Sequence, residues 1–137
     1  MFEEVTDQGK TIAIIVRQNF KADGIKFFTP SSFSQQLAQM DHRKGHVIKA
    51  HVHNPVSRSV EYTQEALFVK QGKLKVNLYS QDRNFICSKV LTSGDVILLC
   101  SGGHGFEVLE DLQMVEVKQG PYAGDQDKTV FEVEDPS

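Results

Sequence analysis

His51 and His53 are separated by one residue in a strand-like stretch that runs from His46 to His53. In a β-strand, side chains two residues apart point to the same face of the sheet. Two neutral imidazoles side by side on an inward face are half of the ligands that a transition-metal ion needs. The spacing therefore predicts a metal site that begins with these two histidines.

Two further residues are suited to complete such a site. Glu65 has the same parity as Leu67 and Val69 and is expected to point inward, where an uncompensated carboxylate costs several kcal/mol. A bound cation would offset that cost. His104 enters a strand directly after a pair of glycines. We predict Glu65 and His104 as the third and fourth metal ligands.

Three nitrogens and one oxygen leave two positions open on a six-coordinate ion. This donor set favours Fe(II), Mn(II) or Ni(II) over a closed structural zinc site, and zinc stays open as an alternative. Open positions suit a Lewis-acid or oxygen-activating centre. Lys49, on the stripe that carries His51, and Glu61 are the candidate catalytic acid/base groups.

The elements that must position these residues are mostly short strands. Apolar, β-prone runs separated by turn residues recur along the chain and are typical of an all-β sandwich or barrel. The predicted strands are 10–16, 24–29, 46–53, 66–79 with a break at 71–72, 85–91, 95–100, 104–109 and 112–118. No crossover helices separate them, which excludes a parallel α/β sheet. One short helix is predicted near residues 31–40, where Phe33, Leu37 and Met40 recur at near-helical spacing.

The composition excludes several classes of protein. The chain has 137 residues, enough for one domain. Its net charge of -3 comes without a basic stripe, so nucleic-acid binding is not expected. No apolar run is long enough to span a membrane, and the first ten residues are acidic and polar rather than signal-like. We expect a cytoplasmic protein with Cys87 and Cys100 as buried thiols.

The spacing of these residues resembles the cupin superfamily. The first cupin motif has glycine, five residues and His-x-His, then a glutamate separated by six residues from a second glycine. Gly45, His51, His53, Glu65 and Gly72 match it.

The second cupin motif begins with glycine, continues to Pro-x-Gly and has a histidine shortly after. Gly94, Gly102 and His104 match it, although Cys100 replaces the proline. The resemblance spans residues 45–118.

The resemblance implies a double-stranded β-helix, the cupin or jelly-roll barrel. It implies one domain over residues 1–137, with core motifs at 45–118 and a C-terminal tail at 120–137. It also implies one divalent metal ion on His51, His53, Glu65 and His104. Many small cupins pair, so a homodimer is expected, with residues 10–16 as a candidate seam.

One spacing departs from the family motif. Eleven residues separate His53 from Glu65, where cupins usually have three or four, so residues 54–64 are an insertion. Glu61 is therefore a rival metal ligand, although Glu65 keeps the expected distance to Gly72.

Three functions remain open at this point. The first is a metal-dependent enzyme, an isomerase or dioxygenase, that acts on a small polar metabolite such as a carbohydrate derivative. The second is a non-catalytic cupin that binds a sugar or another small ligand. The third is a metal-free relative of the sugar-nucleotide epimerases and isomerases. Fold alone selects none of them.

Overall fold

The computed structural model describes residues 2–133 and is all-β, as the sequence predicts. The strands are β1 Phe2–Asp7, β2 Lys10–Val16, β3 Gly24–Phe27, β4 Ala38–Asp41, β5 Glu65–Tyr79, β6 Phe85–Thr92, β7 Val96–Leu99 and β8 Gly103–Lys118. A single 3-10 turn spans Gly124–Gln126, and the described residues contain no α-helix. No helix in this part of the chain is long and apolar enough to cross a membrane.

The chain divides into two compact units. The first, called the sheet unit here, comprises residues 2–20 and 62–133, and the second, the hairpin unit, comprises residues 21–61. The expectation of one domain over residues 1–137 stays a prediction. Residues 134–137 of the predicted tail lie outside the described residues.

The sheet unit is one six-stranded antiparallel sheet that is strongly curled into a half-barrel. Its strands follow the order β1-β2-β7-β5-β6, and β8 pairs with β5. β2 is buried from Ile12 to Val16, which is typical of a strand covered on both faces. β2 pairs with β1 on one side and β7 on the other, so residues 10–16 have no free edge for a dimer seam.

The long strands β5 and β8 form a two-stranded ribbon. β5 pairs with β7 near its start, with β6 over its second half, and with β8 along nearly its whole length. The register of the ribbon shifts three times between Val69 and Leu74. Such bulges bend a strand and increase its twist. The ribbon therefore bends between its two halves.

Gly72 lies at this bend. Its φ angle is 97°, in the left-handed region that favours glycine. A Cβ atom at this position would overlap the carbonyl oxygen of Asp111 and lie 2.8 Å from the carbonyl carbon. The close approach of β5 to β8 at the bend thus requires a residue without a side chain.

Polar side chains join the two ends of the strand path. Glu3 in β1 accepts hydrogen bonds from Arg17 Nε at 2.6 Å and from Lys89 Nζ in β6 at 3.0 Å. Arg17 Nη1 also donates to the Val90 carbonyl oxygen at 2.7 Å and to buried Asp95 at 3.2 Å. β1 and β6 are at opposite ends of the path, so these contacts exist only because the sheet curls.

The core of the sheet unit lies on the inner face of the curled sheet. The buried residues that share it are apolar and come from five strands: Val5, Ile12, Ala13, Ile15, Leu67, Val69, Leu74, Val76, Leu78, Leu91, Ile97 and Leu99. Each fully buried aliphatic side chain contributes about 1.5–3 kcal/mol through removal of apolar surface from water. Burial of this face drives the sheet to close on itself.

The helix predicted near residues 31–40 is wrong. Residues 38–41 form β4 and pair with β3 in the hairpin unit, with Met40 opposite Ile25. The turn before β4 is held by the Gln36 side chain, whose amide donates to the carbonyl oxygens of Pro30 and Phe33, both at 2.9 Å. Strand pairing and side-chain hydrogen bonds here outweigh a helical spacing of only three apolar residues.

We expect Gly72→Ala to destabilise the protein by about 3 kcal/mol, since the substitution combines a left-handed φ with overlap of the Asp111 backbone. Urea unfolding followed by circular dichroism measures this loss. Gly9→Ala controls for the φ cost, because Gly9 has a φ of 79° and an added Cβ meets nothing within 4 Å.

Gly9→Ala should cost about 1 kcal/mol. Gly105→Ala on β8, where an added Cβ also meets nothing within 4 Å and φ is not positive, should change stability by less than about 0.5 kcal/mol. Equal losses for Gly72→Ala and Gly9→Ala would contradict the close approach at the bend.

Candidate functional site

Glu65 and His104 meet on the inner face of the sheet unit. The distance from His104 Nε2 to Glu65 Oε1 is 3.6 Å, and the two side chains are 29% and 18% exposed. Both residues are at the start of their strands, Glu65 in β5 and His104 in β8. They form a partly buried pair of an acid and an imidazole.

The pair is brought together by the bend in the β5–β8 ribbon. Along the ladder, Glu65 lies opposite Lys118, whereas His104 lies opposite Leu78. The thirteen residue-to-residue steps from Glu65 to Leu78 would span about 40 Å in a straight strand. A separation of 3.6 Å between the side chains is therefore possible only because the ribbon curls back on itself.

Glu116 and Lys118, which the sequence analysis did not identify, also belong to this site. Residues opposite each other in an antiparallel ladder share a face, and Glu116 lies opposite core residue Leu67, as Lys118 lies opposite Glu65. Glu116 and Lys118 form an ion pair at 3.9 Å. The sequence does contain a sign of this. Glu116 and Lys118 follow Met114 at intervals of two residues, so all three side chains are expected on the same, inner face of the strand.

The site changes the pKa of three groups. Burial raises the pKa of Glu65 to about 7, with a further contribution from its hydrogen bond with Glu116. That hydrogen bond lowers the pKa of Glu116, so Glu65 is the partner that keeps the proton. Burial lowers the pKa of His104 from its ordinary value. At neutral pH a neutral imidazole thus faces a carboxyl group near half-protonation.

The C-terminal tail reaches the same site. Lys128 acts electrostatically on Glu65, His104 and Glu116. Nothing in the sequence around Lys128 connects it to β5 or β8.

His51 and His53 lie in the hairpin unit, and the strand predicted at residues 46–53 is wrong. Residues 42–64 contain no helix or strand, and both histidines are exposed. Their rings form an edge-to-face pair with centroids 5.3 Å apart, and His51 Nδ1 contacts the Lys49 carbonyl oxygen at 2.8 Å. A strand forms only when a neighbouring strand satisfies its backbone groups, and these residues pair with none in the described chain.

The predicted metal ligands thus fall into two pairs, His51 with His53 in the hairpin unit and Glu65 with His104 in the sheet unit. Among residues 2–133, no group of three or more His, Cys, Asp and Glu side chains is arranged to hold a metal ion. Either pair supplies only two of the three or more protein ligands that a catalytic metal site uses. The four-residue metal site stays a prediction.

The two candidate catalytic groups, Lys49 and Glu61, are exposed residues of the hairpin unit. Their predicted roles remain predictions. The hairpin unit also has a depression of about 750 Å³, lined by residues 21–23 and 40–43. None of the predicted site residues contributes to it.

Comparison with protein-family models, with curated proteins and with solved structures finds no match for this chain.

The raised pKa of Glu65 predicts a pH-dependent stability. The usual pKa of a glutamate side chain is 4.5, and that of Glu65 in the folded protein is about 7. Between these two pH values, Glu65 in the folded protein keeps a proton that it releases in the unfolded chain. Stability therefore falls as pH rises through this window. Glu65→Gln lacks this effect, so the thermal midpoint of the unmodified protein should fall relative to that of the variant from pH 5 to pH 8.

This comparison uses chelator-treated protein, so that bound cations do not contribute. Glu4→Gln is a control in the same sheet, on an exposed carboxyl group. The thermal midpoint of Glu4→Gln should change between pH 5 and pH 8 as much as that of the unmodified protein. A difference between the protein and Glu65→Gln that is constant or grows with pH would contradict the protonation assigned to Glu65.

Proposed function

We propose that this chain is an enzyme that transfers protons on a small polar metabolite, such as a carbohydrate derivative, at the Glu65–His104 site. The reaction class is an isomerisation or epimerisation. The observation that carries the proposal is the 3.6 Å separation of a carboxyl oxygen and an imidazole nitrogen on the inner face of the curled sheet. Acid and base groups this close together can act on one substrate molecule.

In this mechanism His104, uncharged because burial lowers its pKa, accepts a proton from a carbon next to a carbonyl group. Glu65, whose pKa is raised to about 7, donates a proton to the carbonyl oxygen as charge develops there. Glu116 accepts the hydrogen bond that keeps the proton on Glu65. Glu65 then takes a proton from a hydroxyl group of the enediol, and His104 returns its proton to the neighbouring carbon in an isomerisation, or to the same carbon after the intermediate has turned over in an epimerisation, so that both groups are restored.

The surroundings of the pair support binding of a substrate with a carbon skeleton. Phe106 shares the inner face with His104, and the centroids of the two rings are 5.3 Å apart. Phe106 is 40% exposed and Val108, two residues further along β8, is 58% exposed. These exposed apolar side chains on the inner face offer a surface beside the polar pair.

A metal-dependent enzyme is the second candidate, and the chemistry of its predicted ligands favours it. The four residues that the cupin resemblance names form one pair in each unit, Glu65 with His104 at 3.6 Å and His51 with His53 with ring centroids 5.3 Å apart. A divalent ion on these four residues would supply Lewis-acid or oxygen-activating chemistry, as an isomerase or a dioxygenase requires. Iron, manganese or nickel fits this donor set better than zinc.

The remaining expectations belong to the same proposal. The curled sheet is proposed to be a cupin jelly roll, the protein a cytoplasmic homodimer, and Lys49 and Glu61 auxiliary acid/base groups. A non-catalytic cupin that binds the same class of metabolite is the outcome if ligands bind at Glu65 and His104 without turnover.

Deuterium exchange tests the proton-transfer function. Candidate sugars and hydroxy acids are incubated with the protein in D₂O, and carbon-bound deuterium is measured by mass spectrometry. We expect exchange that falls by about 10²-fold or more in Glu65→Gln and in His104→Gln, since each removes one of the two groups. Lys73→Met, at the exposed ion pair with Glu110, is the control and should retain full exchange.

Exchange that survives in both site variants, or that is absent for every candidate, would contradict this function. Parallel reactions under air and under nitrogen identify a dioxygenase, because only that activity stops when oxygen is removed.

Elemental analysis of protein purified without chelators tests the metal-dependent candidate. We expect near-stoichiometric metal in the unmodified protein and its loss in the His51→Ala, His53→Ala double variant. The His42→Ala, His46→Ala double variant is a matched control, since it also removes two neighbouring histidines of the hairpin unit. Equal metal content in the two double variants would contradict the predicted ligand set.

A further inference from the structure

The segment that follows β8 is attached to the sheet unit at two points. At its start, Gln119 directly follows β8, and its side-chain oxygen Oε1 accepts the backbone N–H of Gln64 at 2.6 Å. Gln64 directly precedes Glu65 in the chain. The first attachment therefore adjoins the carboxyl side of the Glu65–His104 site.

The second attachment is the aromatic ring of Phe131. This ring meets the Tyr79 ring edge-to-face with centroids 5.4 Å apart, and the Arg83 guanidinium lies 5.5 Å from its centroid. It also packs on Gly103, where a Cβ atom would lie 3.0 Å from the ring carbon Cζ. Gly103 directly precedes His104, so the second attachment adjoins the imidazole side of the site.

Residues 120–130 connect these two attachments across the site. Glu65 and His104 are in contact at 3.6 Å, so the ends of the segment lie on either side of one pair of side chains. The charge of Lys128, within the segment, acts on both side chains, as expected of a chain that passes over them. Surface loops of this length whose ends are close together frequently carry function.

Between its attachments the segment is held mainly by itself. The Ala123 N–H donates to the Asp127 carboxylate at 3.0 Å, and the Asp127 N–H donates to the Gly124 carbonyl oxygen at 3.1 Å. Tyr122 is 78% and Val130 is 85% exposed, whereas Phe131 is half-buried. The segment thus keeps a turn of its own, and the Phe131 ring fastens its far end.

From this arrangement we infer that residues 120–131 are a lid over the Glu65–His104 site, hinged at Gln119 and fastened by the Phe131 ring. This inference rests on the proposed function, because it gives the segment control over entry of the small molecule that the site binds. The closed lid limits the access of water and solutes to the pair, and the open lid admits the substrate. A fastening of one ring can be broken and remade, since an aromatic pair shifts an equilibrium by only about tenfold.

Chemical modification of histidine tests the lid without relying on catalysis. Diethyl pyrocarbonate at pH 8 modifies accessible uncharged imidazoles, and mass spectrometry measures the rate of modification at each histidine. We expect Phe131→Ala to raise the rate at His104 about tenfold, because without the ring the lid is open for more of the time. The exposed histidines of the hairpin unit report the reagent dose and should keep their rates.

Two further variants and one thiol are the controls. Phe85→Ala also removes a ring that meets Tyr79 edge-to-face, but from β6, and should leave the rate at His104 unchanged. Phe131→Leu keeps an apolar side chain at the fastening and should give an intermediate rate. Cys100 is 3% exposed, so alkylation of its thiol reports opening of the core and should stay as slow as in the unmodified protein.

Three results would overturn the lid: a rate at His104 that Phe131→Ala does not raise, an equal rise in Phe85→Ala, or a rise at His104 matched at Cys100. The last result is unfolding of the sheet unit.

The proposed function is judged separately, by deuterium exchange that depends on Glu65 and His104. Such exchange, together with a rate of modification that Phe131→Ala does not change, contradicts only the lid. Modification of His104 that depends on Phe131, without any exchange, contradicts only the catalytic function.

Discussion

The bend in the β5–β8 ribbon is the constraint on which the rest of the sheet unit depends. It is set at Gly72, where β5 approaches the Asp111 backbone too closely for any side chain. Without this bend the two ends of the ribbon would lie far apart, and Glu65 and His104 would occupy unrelated parts of the sheet. With it, one sheet supplies both an enclosed apolar core and a polar pair at its margin.

Two groups of charged residues in the sheet unit differ in how their charges are satisfied. Around Arg17, the buried carboxylate of Asp95 also accepts the backbone N–H groups of Gln18 and Thr92, at 2.9 and 2.8 Å. Every charge there has a partner, which is typical of a structural role. At the Glu65–Glu116 pair, two carboxyl groups face each other and one keeps a proton near neutral pH. Such arrangements cost stability and cluster at functional sites.

The sequence predicts the strands of the sheet unit other than β1, because their apolar residues alternate with a period of two or run continuously. β1 was missed because residues 2–7 are mostly polar and acidic. The inward direction of Glu65 follows from the same parity. The two strands predicted at 104–109 and 112–118 are one strand in the structure, since β5 pairs with both parts across the bulges. The spacing identifies Gly72 as a turn position, but not the backbone contact that makes a glycine necessary.

The parts that sequence reasoning missed depend on long-range pairing. Residues 46–53 have a strand-like pattern, yet a pattern cannot say whether a neighbouring strand pairs with it, and none does in the described chain. Phe131 packs against Tyr79 and Gly103, beside the site, although it is far from both in sequence. Glu116 becomes part of the site only through its register opposite Leu67. Pairing partners and register are properties of the folded sheet.

The central claim is that the curled ribbon places the side chains of Glu65 and His104 in contact. Nuclear Overhauser effects from the imidazole protons of His104 measure this most directly, because they report only close protons. The account predicts cross-peaks from the His104 ring to the Glu65 side-chain methylene protons, in addition to those from Phe106. Cross-peaks to the ladder neighbours around Leu78 with none to Glu65 would contradict it.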